Sequence, residues 1–246
     1  LLSMFEYKNN SLSTDISFFN SIENYNSPTM SIKGFIPITL TPKTDSTDNS
    51  NKNIDLTIES DEFDLGTLKN IMPYVQFQKG KLETDIYITG TISKPVMIGY
   101  FRINDAKFNF TKNNLDYDLN AKVWIDDEDI TIESVTLQNV FGTKHGGTLK
   151  SEGFVKLNEF KLDSTFIKVN GDLKVLDKIS KSSSPFVYGD VALRTRGDIV
   201  YSAKGSNSYI NMPIAVTVAD IILPLSKSAY SSNSGFIYGY ANTTKE

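Results

Sequence analysis

Lys81–Ile92 reads KLETDIYITGTI. Leu82, Ile86, Ile88 and Ile92 fall on even positions, and Lys81, Glu83, Asp85 and Thr89 on odd ones. A period of two is the repeat of a β-strand, whose successive side chains point to opposite faces, so the stretch reads as a strand with one dry face and one wet face. The same alternation recurs outward from it. NIDLTI carries Ile54, Leu56 and Ile58; LNAKVWI carries Leu119, Ala121, Val123 and Ile125; DITI carries Ile130 and Ile132; GDLKV and GDVALRT repeat it further on. DDED, NGD, GTKHGG and AKGSNS read as turns between these runs. The expected fold is all-β, an antiparallel meander of many short strands.

Helical sequence is nearly absent. In SDEFDLGTLKNIMPYV, Leu65, Leu68, Ile71 and Met72 keep 3/4 spacing, Ser60 or Asp61 is placed to cap, and Pro73 ends the run, which predicts one short helix near 65–72. The polar segment 41–53 has no apolar residue and reads as a loop or linker, which divides the chain into 1–40, strands of a preceding β unit, and 54–246, one continuous β segment. Within that segment, Gly90, Pro95 and Gly99 of GTISKPVMIGYFRINDAKF are echoed by Gly171, Pro185 and Gly189, as if a unit of several strands were used twice. Proline cannot donate to a ladder and glycine packs nothing, so Gly90, Pro95, Gly99, Pro185 and Gly189 read as structural corners.

The 246 residues are 39% hydrophobic and 22% charged with net charge -4, which suits a globular domain and lacks the basic footprint of a nucleic-acid binder. With no cysteine, thiolate metal sites, disulfides and cysteine nucleophiles are excluded. The single histidine, His145 in GTKHGGT, reads as a solvated turn residue with no partner pattern for a triad. Asp126, Asp127, Glu128, Asp129 and Glu133 lack the ligand spacing of an EF-hand and read as a charged hairpin tip. Trp124 falls on the polar face of its strand, as a packed surface aromatic or an interface anchor. No catalytic constellation, cofactor motif or metal site emerges. The longest apolar run, Ile214 to Leu225, is too short for a membrane helix, and Leu1–Met4 lacks the start of a signal peptide, so a segment of a longer chain is expected.

Many amphipathic strands with few elements to cover them leave two architectures: a closed β-sandwich, or a sheet curled so that its apolar face becomes a groove. The order of motifs resembles the TamB branch of the AsmA-like envelope protein family. The resemblance runs from about Ser31 to Ile199 and rests on Gly34 and Pro37, Leu65 and Leu68, Gly80, Gly90-Thr91, Pro95, Gly99 and Asp105-Ala106. It implies a long, twisted, U-shaped sheet with a hydrophobic lining, a β-taco, in the bacterial periplasm. It also implies a non-enzymatic part in lipid transport and outer-membrane biogenesis, carrying phospholipid acyl chains between inner and outer membranes as part of an inner-membrane-anchored protein. Alternatives are a scaffold or chaperone for outer-membrane barrel proteins, and a sandwich adhesin or carbohydrate-binding module. From the alternation, the groove would be lined by Leu82, Ile86, Ile88, Ile92, Phe101, Ile103, Leu119, Val123, Ile130, Ile132, Leu137, Val169, Leu173, Val191 and Leu193.

Overall fold

The computed structural model describes residues 2–19, 28–38, 52–69, 72–139, 146–158 and 161–224. His145 and residues 41–51 of the polar segment lie outside the described residues. Fourteen strands follow the chain: β1 (Leu2–Lys8), β2 (Ser11–Phe18), β3 (Met30–Ile36), β4 (Asp55–Asp64), β5 (Val75–Gly90), β6 (Pro95–Phe110), β7 (Leu115–Asp126), β8 (Asp129–Asn139), β9 (Gly147–Asn158), β10 (Lys161–Leu176), β11 (Tyr188–Thr195), β12 (Ile199–Lys204), β13 (Asn207–Asn211) and β14 (Ile214–Ile222). All belong to one antiparallel sheet, in chain order from β1 to β10. The sheet is open, with β1 paired only to β2 and β14 only to β11. The closed sandwich is therefore not the architecture of the described residues. Across the polar segment 41–53, β3 hydrogen-bonds directly to β4.

The strands are interrupted at one level across the sheet. Register shifts occur in β4 between Ser60 and Phe63, in β6 between Ile103 and Ala106, and in β8 between Ile132 and Val135. Each lies beside the row Phe63–Leu82–Ile103–Ala121–Val135 of cross-strand partners. The row continues through Ser151, Val169 and Ile199, and there β10 exchanges its outer partner, from β12 along 164–169 to β11 along 172–176. A bulge bends its strand and sharpens the local twist, so bulges in register crease the sheet along one line through β4 to β8. In β6 the bulge is held by Asp105, which takes φ 48° while its N–H donates to Asn120 Oδ1 at 2.9 Å. Asp105→Gly is expected to hold stability within about 1 kcal/mol, whereas Asp105→Val, forced into the left-handed region, costs about 2 kcal/mol in chemical denaturation.

Several local expectations are corrected. The helix is a 3-10 turn over Leu65–Leu68 only; its N-cap is Asp64, which accepts from Gly66 N–H at 2.8 Å, while Ser60 and Asp61 belong to β4 and Met72 lies outside it. A helix of one turn cannot pay nucleation by itself, and it persists because Leu65 and Leu68 pack on the sheet. NGD at 170–172 is mid-strand in β10, where Gly171 takes φ 127° at the exchange of partners and its N–H donates to Thr195 Oγ1 at 3.1 Å.

Pro95 opens β6 opposite Gly90, after a turn in which Thr91 and Lys94 exchange backbone hydrogen bonds at 3.1 Å. That is a hairpin corner, where the missing donor costs nothing. Gly99 lies inside β6 opposite Ile86, where a Cβ would fall 2.0 Å from Asp85 O; only glycine allows that approach. The echo is not a second copy of this corner. Pro185 follows the 3-10 helix Lys178–Ser182, Gly189 lies inside β11, and Gly171 pairs with Leu149 in place of a proline-bearing strand.

Candidate functional site

Because opposed residues in an antiparallel ladder share a face, the register assigns every side chain to one side of the sheet. One row runs Ile16–Ile32–Ile58–Ile86–Gly99–Ile125–Ile130–Val155–Thr165–Ala203, across ten strands from β2 to β12. At about 4.8 Å per strand this is roughly 43 Å of nearly unbroken apolar surface. The next row, Thr84–Phe101–Val123–Ile132–Gly153–Ile167–Tyr201–Ile210, reaches β13. The opposite side carries charge: Glu83 and Arg102 pair at 2.8 Å, Lys122 and Glu133 at 2.8 Å, and Lys156 and Asp129 at 2.9 Å.

The apolar face is covered unequally on the two sides of the crease. Beyond it, toward the 3-10 helices, Phe63, Leu65, Phe77 and Ala106 form one buried cluster, and Leu115, Tyr117 and Leu173 form another. That second cluster is closed by Asn113, whose Nδ2 donates to Tyr117 Oη at 2.7 Å and to Val175 O at 3.1 Å. Burial pushes the Tyr117 phenol up, against the donation from Asn113. On the other side of the crease, Ile86, Ile88, Phe101, Ile125, Ile130, Ile132 and Val155 are only half-buried, and no second layer of described residues lies over them. Part of the face is thus a packed core and part is an uncovered apolar surface.

Of the fifteen residues expected to line a groove, Leu82, Ile86, Ile88, Phe101, Ile103, Leu119, Val123, Ile130, Ile132, Leu137, Val169, Leu173, Val191 and Leu193 share this face by register. Ile92 does not. The alternation ends at Gly90, and Ile92 lies in the turn, its N–H donating to Lys52 O at 3.2 Å. Val123, Leu173 and Val191 are buried, and Leu82, Ile103 and Leu119 pack against the first cluster, so the uncovered surface takes only part of the set. Missed residues include Leu56, Met97, Ile125 and Val155, each opposite a predicted residue or in the same row. The signal for Leu56, Ile125 and Val155 is the same alternation, present in NIDLTI, LNAKVWI and GFVKL.

On the charged side, Trp124 is 42% exposed and packs on Tyr100 at 5.5 Å between ring centroids, with Lys122 Nζ 5.2 Å from its ring. Its Nε1–H donates to Glu133. Lys122, together with Trp124, holds the Glu133 carboxyl below its ordinary value. It is a packed surface aromatic. Asp127 and Glu128 form the tip of the β7–β8 hairpin, and among the described residues no group of three or more His, Cys, Asp or Glu is arranged to hold a metal ion. No described helix is long and apolar enough to cross a membrane. No family model, curated protein or solved structure matches the chain.

Proposed function

We propose that this chain is a section of a non-enzymatic lipid conduit in the bacterial periplasm, in which phospholipid acyl chains lie along the open half of the apolar face. The observation that carries the reading is the row through ten strands, isoleucine or valine on seven of them, with no second layer of described residues over it. A surface of that length contacting water is costly, and each acyl CH₂ laid on it recovers about 0.8 kcal/mol. Exposed apolar patches of this extent mark binding surfaces. The resemblance to the TamB branch of the AsmA-like family supports the same reading. A second reading, a scaffold for outer-membrane barrel strands, is favoured by the sheet edges at β1, β13 and β14, since β1 and β13 are exposed throughout and β14 exposes Ile214, Val216 and Ile221.

The test is a charge on the uncovered surface. Ile88 faces Leu56 and Met97 on the open half, and Thr89 points to the opposite side. Ile88→Glu is expected to lower phospholipid photocrosslinking and vesicle-to-vesicle lipid transfer about tenfold or more, because a carboxylate desolvated by acyl chains costs over 1.4 kcal/mol, while Thr89→Glu leaves both unchanged. Unchanged crosslinking in a folded Ile88→Glu protein overturns the conduit. Capture of unfolded barrel strands in place of lipid favours the scaffold.

A further inference from the structure

The strand ends on the side of the crease that bears the 3-10 helices form a rim unlike the rest of the protein. Three stretches of its connections, 72–74, 111–114 and 177–187, contain three lysines, Lys112, Lys178 and Lys181, against one acid, Asp177, in a chain whose net charge is -4. They are fastened into one surface. Thr111 N–H donates to Tyr74 O at 3.0 Å, and Lys112 Nζ lies 4.4 Å from the centre of the Tyr74 ring. Asn114 Nδ2 donates to Ser182 Oγ at 3.0 Å, tying the β6–β7 turn to the second 3-10 helix, where Lys181 Nζ lies 5.4 Å from the Tyr188 ring. The acids adjoining these stretches in sequence are engaged, Asp116 with Lys107 at 3.8 Å and Asp177 with the buried Lys174 at 2.5 Å. Amid these cations the same rim exposes Tyr74 at 50%, Ile179 at 57% and Phe186 at 72%.

We infer that this rim docks on the surface of an anionic phospholipid bilayer. The partner is read from the combination. Cations alone would suit any polyanion, but a polyanion offers nothing to Ile179 and Phe186. Apolar side chains alone would suit a protein groove, but an apolar groove offers nothing to lysines whose neighbouring carboxylates are paired elsewhere. A bilayer presents an anionic layer directly above an apolar one, so lysine ammonium groups stay among phosphates while their stems and the neighbouring Ile179 and Phe186 enter the acyl boundary. Tyrosine ring and hydroxyl suit the same boundary. On the opposite rim the β7–β8 turn is instead Asp127-Glu128. The docking goes beyond the conduit reading and stands apart from it.

The experiment is co-sedimentation of the purified chain with phosphatidylcholine vesicles, with and without phosphatidylglycerol. Binding is expected only with the anionic lipid and weakens as salt is raised. Each lysine near an anionic surface is worth roughly fivefold, so Lys112→Gln/Lys178→Gln/Lys181→Gln should weaken binding roughly a hundredfold. Lys94→Gln on the opposite rim should not weaken it, and Ile179→Ser/Phe186→Ser should weaken what remains at high salt. Circular dichroism checks that each variant keeps its strand signal. Absence of binding, equal binding to neutral vesicles, or an unaffected triple variant overturns the inference, as does self-association through Phe186 without vesicle binding. Ile88→Glu should leave vesicle binding intact, so the failure of the docking and the failure of the conduit are read separately.

Discussion

Phe63→Ala is expected to destabilise the protein by about 3–4 kcal/mol, read as a lowered midpoint in chemical denaturation with little change in slope. Phe63 is 2% exposed, packs edge-on against Phe18 at 5.3 Å between ring centroids, and joins Leu65, Phe77 and Ala106 in the cluster under the first 3-10 helix. A single-layered sheet has few such places, so the loss falls on a scarce resource. Removing the ring leaves a void that Gly80 and Ala106 cannot fill, since their backbones are already so close that a Cβ on Gly80 would meet Ala106 at 2.6 Å. Phe63→Leu, which keeps most of the volume, should cost about 1 kcal/mol. A cost below about 1 kcal/mol for the alanine variant would mean that this cluster does not anchor the fold.

The second large effect concerns Lys174, only 1% exposed, whose Nζ lies 2.5 Å from Asp177 and 3.1 Å from Asp190. Burial pulls the Lys174 ammonium down, but the two carboxylates outweigh it and hold the group above its ordinary value. For Asp177, burial pushes up, and Lys174 with the Ile179 N–H outweighs that and holds the carboxyl below its ordinary 3.8. Asn139 clamps the same backbone, its Nδ2 donating to Lys174 O at 2.5 Å and its Oδ1 accepting from Lys174 N–H at 3.3 Å. Lys174→Met leaves two carboxylates facing each other without a cation, and about 3 kcal/mol of stability should go; the remaining exposure of both acids keeps it below the full penalty for a buried pair. Adding Asp190→Asn should recover part of that loss.

The sign of the pH dependence follows from the lowered Asp177. The unfolded chain takes up the proton first, so the contribution is complete above pH 3.8 and is lost as pH falls through the folded value. The raised Lys174 contributes fully below 10.5 and loses its part as pH climbs through its folded value. Denaturation profiles should therefore slope down at both extremes, and Lys174→Met should flatten both slopes.

Strand identity and face were legible because alternation is imposed locally: one face is wet wherever the strand runs, and Leu82–Ile88 or Leu119–Ile125 show it without reference to their neighbours. The phase changes were less legible. Ile103 and Ala106 share a face across a bulge, as do Ile132 and Val135, and nothing in a period of two announces the extra residue. Glycine was ambiguous for the same reason. NGD has the composition of a turn, yet at Gly171 the φ that a turn demands serves a strand that changes partner without ending. Ile92 was assigned one residue pair too far because threonine and isoleucine fit strand and turn alike in TGTIS. The candidate surface was readable as a composition of residues, whereas its division into a packed part and an open part depends on contacts between Leu65 or Tyr117 and strands distant in sequence.

The crease makes the sheet mechanically anisotropic. Along each ladder, bending would stretch paired hydrogen bonds. Across the line from Phe63 to Ile199 the bulges of β4, β6 and β8 have already taken residues out of register, and β10 changes its outer partner. Curvature is stored there in torsions of residues such as Asp105 and Gly171, and not in strained pairs. The angle between the packed half and the open half is therefore the soft coordinate of the protein. If the open half takes acyl chains as proposed, a bulkier guest would be met by turning about that line while the ladders on either side keep their pairing.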